Sequence, residues 1–415
     1  MLSNRGVEAA KSQDIPWRFA PGGNDRYDKD SNPNGVIAFG MAENSLVHQE
    51  LEDFVSQKLD AQIVQDKIPA EAFTYRYSTM GGPRFPAAMA AHMNEYFKPH
   101  SPVKSDNILT AAGLTAIHEM IGLALGDPGD GALVARPMYG RFELDFGNTA
   151  GLNIVYADME GVDSFAPEIV EQYQKALEKS EARGVTIKVL MIVNPHNPLG
   201  LTGIGRCYPE STLRELMKFC QKNEIHMISD EVYALSVYDT GFDGPAFNSA
   251  LSIDPEGLID RDRLHTLYGL SKDFGSAGLR LGSLITQNAT LKKAVAANVR
   301  FHNPSGMSIA VGIMILEDRK FVRSFIELAR ERLRDSRAYA TQVLDKAGIK
   351  YEPGDDRERE FELAQKLLDG GVGLHPCEEH NGTAGHFRLV FSSFDKDILV
   401  EGLRRLISVL GVHRQ

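Results

Sequence analysis

The sequence predicts an α/β protein with a mostly parallel, seven-stranded sheet. A smaller α+β domain is expected from the N-terminal arm and the C-terminal third. Two observations predict the sheet. Seven short apolar runs recur after residue 105, and helical periodicity separates most of them. Runs such as residues 189–193 are apolar at successive positions, as in strands covered by helices on both faces. This alternation favours parallel pairing through right-handed crossovers.

The seven apolar runs are predicted strands. In chain order they are residues 107–111, 132–136, 153–157, 188–193, 226–230, 265–269 and 281–286. Helical periodicity lies between them in residues 115–125, 167–182 and 210–223. Ligands of parallel sheets bind beyond the carboxyl ends of the strands, so polar residues that follow these runs are the first candidates for a site.

The rest of the chain divides into an arm and a terminal domain. Residues 1–50 are rich in turn-forming residues and predict an irregular arm that forms part of the small domain. We expect the large domain over residues 51–305 and the small domain over residues 306–415. A long or bent helix over residues 308–347 is predicted to connect them.

Composition and charge argue against several classes of protein. The 415 residues are 43% apolar and 24% charged, as in an ordinary globular protein with a sizeable core. The net charge of −11 is unlike that of a nucleic-acid-binding protein. No apolar run approaches the roughly 20 residues that span a bilayer, and the N-terminus shows no signal-peptide pattern. Three cysteines without a pairing pattern favour a reducing compartment. We therefore expect a cytoplasmic protein with no nucleic-acid or membrane partner.

The strongest local signal for chemistry is residues 268–282, in which Lys272 follows a predicted strand. A lysine amine can form a Schiff base with an aldehyde when its surroundings favour the uncharged amine. Arg280 lies eight residues further on and is suited to binding an anion through its planar guanidinium. By itself, Lys272 is equally consistent with a surface lysine in a loop.

Two other predicted strands also end in polar residues. Asn197 lies in a segment with two X-Pro steps, which predicts a rigid, non-helical loop. A tight strand-to-helix turn would have the same pattern. Asp230 ends the run 226–230, and Tyr233 follows it. A buried carboxylate needs a cationic or donor partner, and a protonated heterocyclic nitrogen would supply one.

These motifs, taken in order, resemble those of a known superfamily. Asn-Pro-x-Asn-Pro-x-Gly at 194–200, Asp-x-x-Tyr at 230–233, and Ser-Lys at 271–272 with its distant Arg are typical of aspartate aminotransferases. These are fold-type-I enzymes dependent on pyridoxal phosphate (PLP). Within this superfamily, residues 32–44, 271–275 and 387–389 are similar to 1-aminocyclopropane-1-carboxylate synthases. The resemblance covers nearly the whole chain. It implies PLP as cofactor and an α-amino acid as the small-molecule substrate, converted through aldimine and quinonoid intermediates.

The resemblance implies roles for residues around the cofactor ring. Lys272 would carry the aldimine and then move the α-proton as the catalytic acid/base. Asp230 would pair with the pyridinium nitrogen and preserve the ring as an electron sink. Asn197 and Tyr233 would hydrogen-bond the phenolic oxygen, and Tyr139 would stack on the ring.

The cofactor phosphate is expected at the start of the helix predicted from residue 115. Backbone N–H groups and the helix dipole favour an anion there. The residues concerned are Gly113, Leu114 and Thr115. Arg280 would add a full positive charge. The superfamily usually has serine three positions before the lysine, where this chain has Gly269, so one donor is lost unless Ser271 or water replaces it.

The resemblance also assigns residues to the substrate and to a partner subunit. Arg388 would clamp the α-carboxylate with a planar fork that lysine cannot reproduce. Glu43 and Asn197 would contact the substrate. A tyrosine would reach the neighbouring site, and of the two candidates, Tyr75 and Tyr77, we take Tyr77. A homodimer with shared active sites follows from that role.

The sequence leaves the reaction open. The leading hypothesis is 1-aminocyclopropane-1-carboxylate synthase-like chemistry on an α-amino acid, with S-adenosylmethionine as the first substrate to test. The alternatives are an aminotransferase that uses a 2-oxo acid, a C–S lyase acting on a cysteine conjugate, and a catalytically impaired PLP-binding relative. Pocket shape decides among these reactions, because it orients the bond to be broken.

Three further patterns bear on these hypotheses. Residues 200–205 contain Gly-x-x-Gly-x-Gly, but they follow a turn and not the strand that a nucleotide loop requires. The histidines and cysteine of residues 375–380 suggest a metal site, yet they match the superfamily's loop before Arg388, so we expect no metal. The strand that the superfamily has after residue 351 is replaced by a charge run at 355–360, which predicts a shortened C-terminal domain.

Overall fold

The computed structural model describes most of the chain in two compact units. It covers residues 2–11, 25–64, 68–159, 161–198, 206–238, 246–349, 357–382 and 385–411. The terminal unit consists of Met1–Leu46, Pro137–Gly140 and Glu331–Gln415. The sheet unit consists of Val47–Arg136 and Arg141–Arg330. Residues 306–330, which the sequence analysis placed in the small domain, lie in the sheet unit.

Eleven strands are found in the described residues. In chain order they are β1 (Ile37–Ala38), β2 (Ile108–Ala111), β3 (Gly131–Ala135), β4 (Asn153–Ala157), β5 (Ile187–Val193), β6 (His226–Asp230), β7 (Leu264–Gly269), β8 (Gly282–Thr286), β9 (Val372–Gly373), β10 (His375–Pro376) and β11 (Phe387–Arg388). Strands β2 to β8 form one sheet in the order β2-β8-β7-β6-β5-β3-β4. Only the two pairings made by β8 are antiparallel. The predicted mostly parallel, seven-stranded sheet is confirmed.

The α-helices follow the predicted pattern between the strands. They are α1 (Asn4–Lys11), α2 (His48–Val64), α3 (Tyr75–Ser78), α4 (Phe85–Tyr96), α5 (Leu114–Leu125), α6 (Phe142–Gly147), α7 (Val170–Glu181), α8 (Glu210–Lys222), α9 (Ala289–Asn298), α10 (Gly306–Glu317), α11 (Arg319–Lys346), α12 (Arg357–Asp369) and α13 (Lys396–Leu410). The long helical stretch predicted over 308–347 is broken at Asp318, whose ψ of 81° is not helical. The Asp318 carboxylate accepts a hydrogen bond from Phe321 N at 3.0 Å and so caps α11. No described helix is long and apolar enough to cross a membrane.

The core of the sheet unit lies in two clusters. One cluster includes Phe85 and Met89 of α4, Ile313 of α10 and Tyr268 of β7. The other packs helices α7 and α8 against strands that include β5, with Leu190 fully buried. Six of the seven residues of β5 are buried. Burial on both faces explains its continuous apolar sequence.

The terminal unit is held by short strand pairs and side-chain hydrogen bonds. Strand β1 pairs in parallel with β9, and β10 pairs antiparallel with β11. Arg405 of α13 donates to the carbonyl oxygens of Pro33 and Gly35 at 2.7 and 2.8 Å and lies over the ring of Tyr27. These contacts fasten the arm to α13. The predicted loss of a strand after residue 351 concerns residues 350–356, and the glycine pattern concerns 200–205. Residues 199–205 and 350–356 lie outside the described part of the chain.

Candidate active site

The sheet brings three predicted site residues to one edge. Strands β5, β6 and β7 are parallel neighbours, with Val193 opposite Asp230 and Asp230 opposite Leu267. Asn197 follows β5, Asp230 ends β6, and Lys272 follows β7. Asn197 and Asp230 are 3% and 6% exposed, and Lys272 is half-buried. A polar edge of this kind is where ligands of parallel sheets bind.

The loop that carries Asn197 is fixed by its first residue. The Asn194 side chain accepts a hydrogen bond from Tyr208 N at 3.0 Å and donates to the carbonyl of Asn248 at 2.9 Å. Its backbone N donates to the Asp230 carbonyl at 2.8 Å. The loop therefore joins neighbouring strand ends, as the predicted rigid segment requires.

Asp230 has a neighbour that the sequence analysis missed. His118 Nε2 lies 3.6 Å from Asp230 Oδ2, an ion-pair distance, and His118 Nδ1 lies 2.8 Å from Asp145 Oδ2. All three side chains are buried. Burial alone would lower the pKa of His118, but the hydrogen bonds and charges of Asp145 and Asp230 outweigh it and raise the pKa to about 9. His118 is therefore a buried cation between two carboxylates at neutral pH.

The surroundings of His118 hold its ring in place. The imidazole stacks on Phe146 at 5.7 Å and meets Phe142 edge-on at 5.3 Å, between ring centroids. Asp230 Oδ1 accepts a hydrogen bond from Val232 N at 3.1 Å. From the sequence alone, the need of Asp230 for a cation indicates a heterocyclic ligand. His118 already meets part of that need. A histidine within the apolar helix α5 was the available signal.

A second buried carboxylate, that of Glu231, follows Asp230 directly and is held by three hydrogen bonds. Glu231 accepts hydrogen bonds from Ser229 Oγ and Ala250 N at 2.9 and 2.8 Å, and from Ser249 Oγ at 2.5 Å. Burial raises the pKa of Glu231 to about 7, although these hydrogen bonds oppose the shift. The residue after Asp230 is thus anchored away from the sheet edge.

The predicted phosphate residues form a cradle for an anion. Gly113 has a φ of 88° and caps α5, so its backbone favours glycine. A β-carbon at Gly113 would lie 2.5 Å from Arg280 Nη2. The exposed guanidinium therefore rests on Gly113 at the N-terminus of a helix, next to Leu114 and Thr115. The N–H of Gly113 donates to the Ala111 carbonyl at 2.8 Å, so the predicted backbone donors reduce to Leu114 and Thr115 in the first turn of the helix. These N–H groups, the helix dipole and the charge of Arg280 coincide there, as an anion such as phosphate requires.

The structure gives a reason for Gly269. Gly269 of β7 lies opposite Gly282 of β8, and a β-carbon at Gly269 would lie 2.5 Å from the carbonyl oxygen of Leu281. A serine in this position would require the backbone of β8 to move. The backbone at Leu281 and Gly282 thus leaves no room for a side chain at Gly269. Ser271, the predicted substitute donor, is half-buried.

The turn that carries Lys272 is held in place by hydrogen bonds to the next residue, Asp273. Asp273 accepts hydrogen bonds from Leu235 N at 2.9 Å, Ser236 Oγ at 2.6 Å and Tyr268 Oη at 3.0 Å. Burial raises the pKa of Asp273 to about 6, against the effect of these hydrogen bonds. The Lys272 turn and the segment just after Tyr233 are thus joined by one buried carboxylate.

The terminal unit contains the predicted substrate residues. Arg388 Nη2 donates to the Gly40 carbonyl at 2.5 Å. Ser392, close to Arg388 in sequence, donates through Oγ to the Glu43 carbonyl at 2.8 Å. Tyr139 belongs to the same unit and is half-buried. Arg388 and Ser392 thus each donate to a carbonyl of the arm, which connects the segment of Arg388 to that of Glu43.

The two candidate tyrosines of α3 differ in exposure. Tyr75 is 95% exposed, whereas Tyr77 packs against the core of the sheet unit. Burial raises the pKa of the Tyr77 hydroxyl. The choice of Tyr77 remains a prediction, and Tyr75 is the more accessible of the two.

Comparison with known proteins identifies the family. Residues 53–406 match the family of class I and II aminotransferases. The chain belongs to this family. The human 1-aminocyclopropane-1-carboxylate synthase-like protein 1 is 31% identical, over 93% of this chain and 78% of that protein. The probable aminotransferase aclI of Aspergillus oryzae is also 31% identical, over 90% of this chain and 91% of that protein.

The fold comparison agrees with the family. An aspartate aminotransferase of Thermus thermophilus superimposes with a TM-score of 0.72 at 20% identity, covering 99% of both chains. The predicted resemblance and the predicted fold are confirmed. The chain is an enzyme of the PLP-dependent aminotransferase and 1-aminocyclopropane-1-carboxylate synthase type.

Proposed function

We propose that the protein binds pyridoxal phosphate and acts on an α-amino acid with 1-aminocyclopropane-1-carboxylate synthase-like chemistry. The arrangement of residues at the edge of the sheet unit supports PLP as the cofactor. It combines Lys272 and Asp230 at strand ends with the anion cradle of Gly113 and Arg280. An amine, an acid and a phosphate cradle are the groups that this cofactor needs. The likeness to synthase-like relatives supports the reaction class.

Each residue at this edge then has a defined task. The bound cofactor supplies an electron sink that stabilises negative charge at the substrate α-carbon. Lys272 holds the cofactor through its amine and moves the α-proton. Asp230 pairs with the ring nitrogen, while Asn197 and Tyr233 bind the ring oxygen. The phosphate is held by Arg280 and by the backbone N–H groups of Leu114 and Thr115, with Ser271 as an additional donor, while Gly113 leaves room for the guanidinium.

Residues of the terminal unit bind the amino acid. Arg388 binds the α-carboxylate through its planar guanidinium. Glu43, together with Asn197 of the sheet unit, orients the rest of the substrate. Tyr139 stacks on the cofactor ring. These assignments follow the resemblance residue by residue.

A homodimer with shared active sites is part of this proposal, and an exposed aromatic surface supports it. The exposed fractions are 78% for Phe73, 95% for Tyr75 and 79% for Phe301. The segments that carry them are neighbours, since Met80 N donates to Asn303 Oδ1 at 3.2 Å. Exposed aromatic surface of this kind marks an interaction site. We also propose that the enzyme is cytoplasmic.

Tyrosine variants test the shared site. We expect the Tyr77→Phe homodimer to be impaired and its mixed dimer with an inactive Lys272→Ala subunit to regain activity, because one of the two sites then combines Lys272 of the first subunit with the intact Tyr77 of the second. Tyr75→Phe is the matched control. If only Tyr75→Phe has this effect, the partner residue is Tyr75 and the choice of Tyr77 is wrong. A monomer at assay concentrations, measured by analytical ultracentrifugation, would contradict the shared site.

A covalent label tests the cofactor. Borohydride reduction of the PLP-loaded protein, followed by peptide mass spectrometry, should find the reduced adduct on Lys272. Lys272→Arg is the control, because it keeps the charge but cannot form the adduct. An adduct on another lysine, or none, would reject the proposal.

A product screen tests the reaction. The holoenzyme is incubated with S-adenosylmethionine, and the products are identified by mass spectrometry. We expect 1-aminocyclopropane-1-carboxylate and methylthioadenosine. Their absence would reject the strict synthase assignment.

The aminotransferase alternative is favoured by the likeness to the Aspergillus protein. It predicts conversion of a 2-oxo acid into an amino acid. A C–S lyase would release thiol, pyruvate and ammonia from a cysteine conjugate. A catalytically impaired relative would carry the Lys272 adduct and yet turn over none of these substrates.

A further inference from the structure

His375 and Arg388 face each other in the terminal unit. They are directly paired on the antiparallel strands β10 and β11. His375 Nδ1 lies 3.3 Å from Arg388 Nη2, the same nitrogen that donates to the Gly40 carbonyl at 2.5 Å. A β-carbon at Gly40 would lie 2.1 Å from His375 Cδ2. The imidazole, the guanidinium and the Gly40 backbone therefore form one packed group.

The chemistry of the two side chains determines how they interact. A guanidinium carries only donors, so His375 Nδ1 has to be the acceptor. Nδ1 therefore carries no proton in this contact. Nη2 of Arg388 has two acceptors, His375 Nδ1 and the Gly40 carbonyl. Because the guanidinium is planar and rigid, fixing this nitrogen restricts the orientation of the whole fork.

Residues 375–380 contain two histidines, which suggest a metal site from the sequence. His380 Nδ1 lies 2.9 Å from the Met138 carbonyl oxygen, so the two histidines have different partners. In the described part of the chain, no three potential metal ligands lie together. His375 belongs instead with Arg388.

We propose that His375 is a positioning residue for Arg388 and thereby sets the preference of the enzyme for substrates with an α-carboxylate. The proposal rests on the proposed function, because it requires Arg388 to bind that carboxylate. Because both N–H groups of Nη2 already have acceptors, a carboxylate is bound by the other N–H groups of the guanidinium, and their directions follow from the plane in which Nη2 is held. His375 Nδ1 holds it there as an acceptor.

Two polar variants of equal charge test the proposal. Asn at 375 places its amide oxygen near the position of Nδ1, whereas Gln places it one methylene further out. The holoenzyme is titrated calorimetrically with L-methionine and with L-methioninamide, which differ only at the α-carboxylate. We expect His375→Asn to bind methionine within about threefold of wild type. His375→Gln and His375→Leu should bind it roughly tenfold more weakly, as for loss of a hydrogen bond to a charged group. Binding of methioninamide should not change.

A double-mutant cycle separates positioning from general damage. We expect Arg388→Leu to abolish the preference for methionine, and His375→Leu to have no further effect in that background. In a kinetic assay with any accepted amino acid, His375→Gln and His375→Leu should raise KM and leave kcat within about twofold.

Each contrary outcome has a distinct meaning. If wild type shows no preference for methionine, or Arg388→Leu leaves that preference intact, Arg388 does not bind the carboxylate. The positioning role of His375 is then wrong as well. If Arg388→Leu removes the preference but the His375 variants keep it, only the positioning role is wrong. Equal weakening of both ligands would also overturn that role. If His375→Leu does not fold, the comparison of Asn with Gln decides.

Discussion

The edge of the sheet unit and the arm region of the terminal unit are built in different ways. Asp230 ends a buried strand with a neighbour on each side, and backbone ladders fix its position. Arg388 ends a strand of two residues and is placed by hydrogen bonds to a carbonyl and an imidazole. A ladder buried in a core tolerates little change, whereas side-chain contacts to loops can be exchanged. The difference suggests a constant region for the cofactor and an adjustable one for the substrate.

The largest effect is expected at the sheet edge. Lys272→Ala removes the amine that holds the cofactor and moves the α-proton, so turnover should fall roughly 10⁴-fold or more. Single-turnover assays of the PLP-loaded protein measure this loss. Arg388→Leu is the informative comparison, because it should weaken substrate binding without removing the cofactor adduct. Turnover by Lys272→Ala near the wild-type rate would contradict the difference between the two regions.

The phosphate cradle should show the next largest effect. Gly113→Ala forces a β-carbon to within 2.5 Å of Arg280 at a φ of 88°. We expect PLP affinity to fall by roughly tenfold or more, together with a loss of stability of about 1–3 kcal/mol. Fluorescence titration with PLP measures the affinity. Gly129→Ala is the matched control, because Gly129 has a φ of 98° and nothing within 4 Å of its β-carbon position. Both variants are strained, so equal PLP affinity would show that Arg280 does not depend on this contact.

His118 predicts a particular dependence of stability on pH. Its pKa is raised from 6.5 to about 9 in the folded protein. The stabilisation is therefore complete below pH 6.5 and is lost as the pH rises through about 9. We expect the difference in unfolding free energy between wild type and His118→Asn to shrink by on the order of 3 kcal/mol over that range. Urea denaturation at a series of pH values measures it.

His226 is the matched control for this measurement. Burial and the charge of Arg263 lower the pKa of His226 below 6.5. The difference between wild type and His226→Asn should therefore change only as the pH falls below about 6.5. A difference for His118→Asn that stays constant from pH 6 to 10 would show that no charged histidine stands beside Asp230.

The comparison of the two regions also explains which site residues could be predicted from the sequence. Lys272, Asp230 and Asn197 each follow an apolar run, so the parallel sheet itself predicts that they meet. Asp145 and His118 lie on helices whose inward faces carry no motif, and only packing brings His118 between Asp145 and Asp230. The fit of Gly269 against Leu281 depends on the distance between two strand backbones, which no sequence pattern records. The sequence predicts a long or bent helix over residues 308–347 but not the position of its break at Asp318, because both flanking segments have helical periodicity.

The smallest effect is expected where the arm meets α13. Arg405 donates to the carbonyls of Pro33 and Gly35 and pairs with Glu401 at 2.8 Å. Lysine keeps the charge but cannot serve two carbonyls in a fixed plane, so Arg405→Lys should loosen the arm that carries Glu43. We expect KM for the amino acid to rise about threefold, from loss of roughly one net hydrogen bond, with PLP affinity unchanged. Steady-state kinetics and PLP titration on the same preparation measure both quantities. A matching loss of PLP affinity would mean that the arm also supports the cofactor, and that the terminal unit is not confined to the substrate.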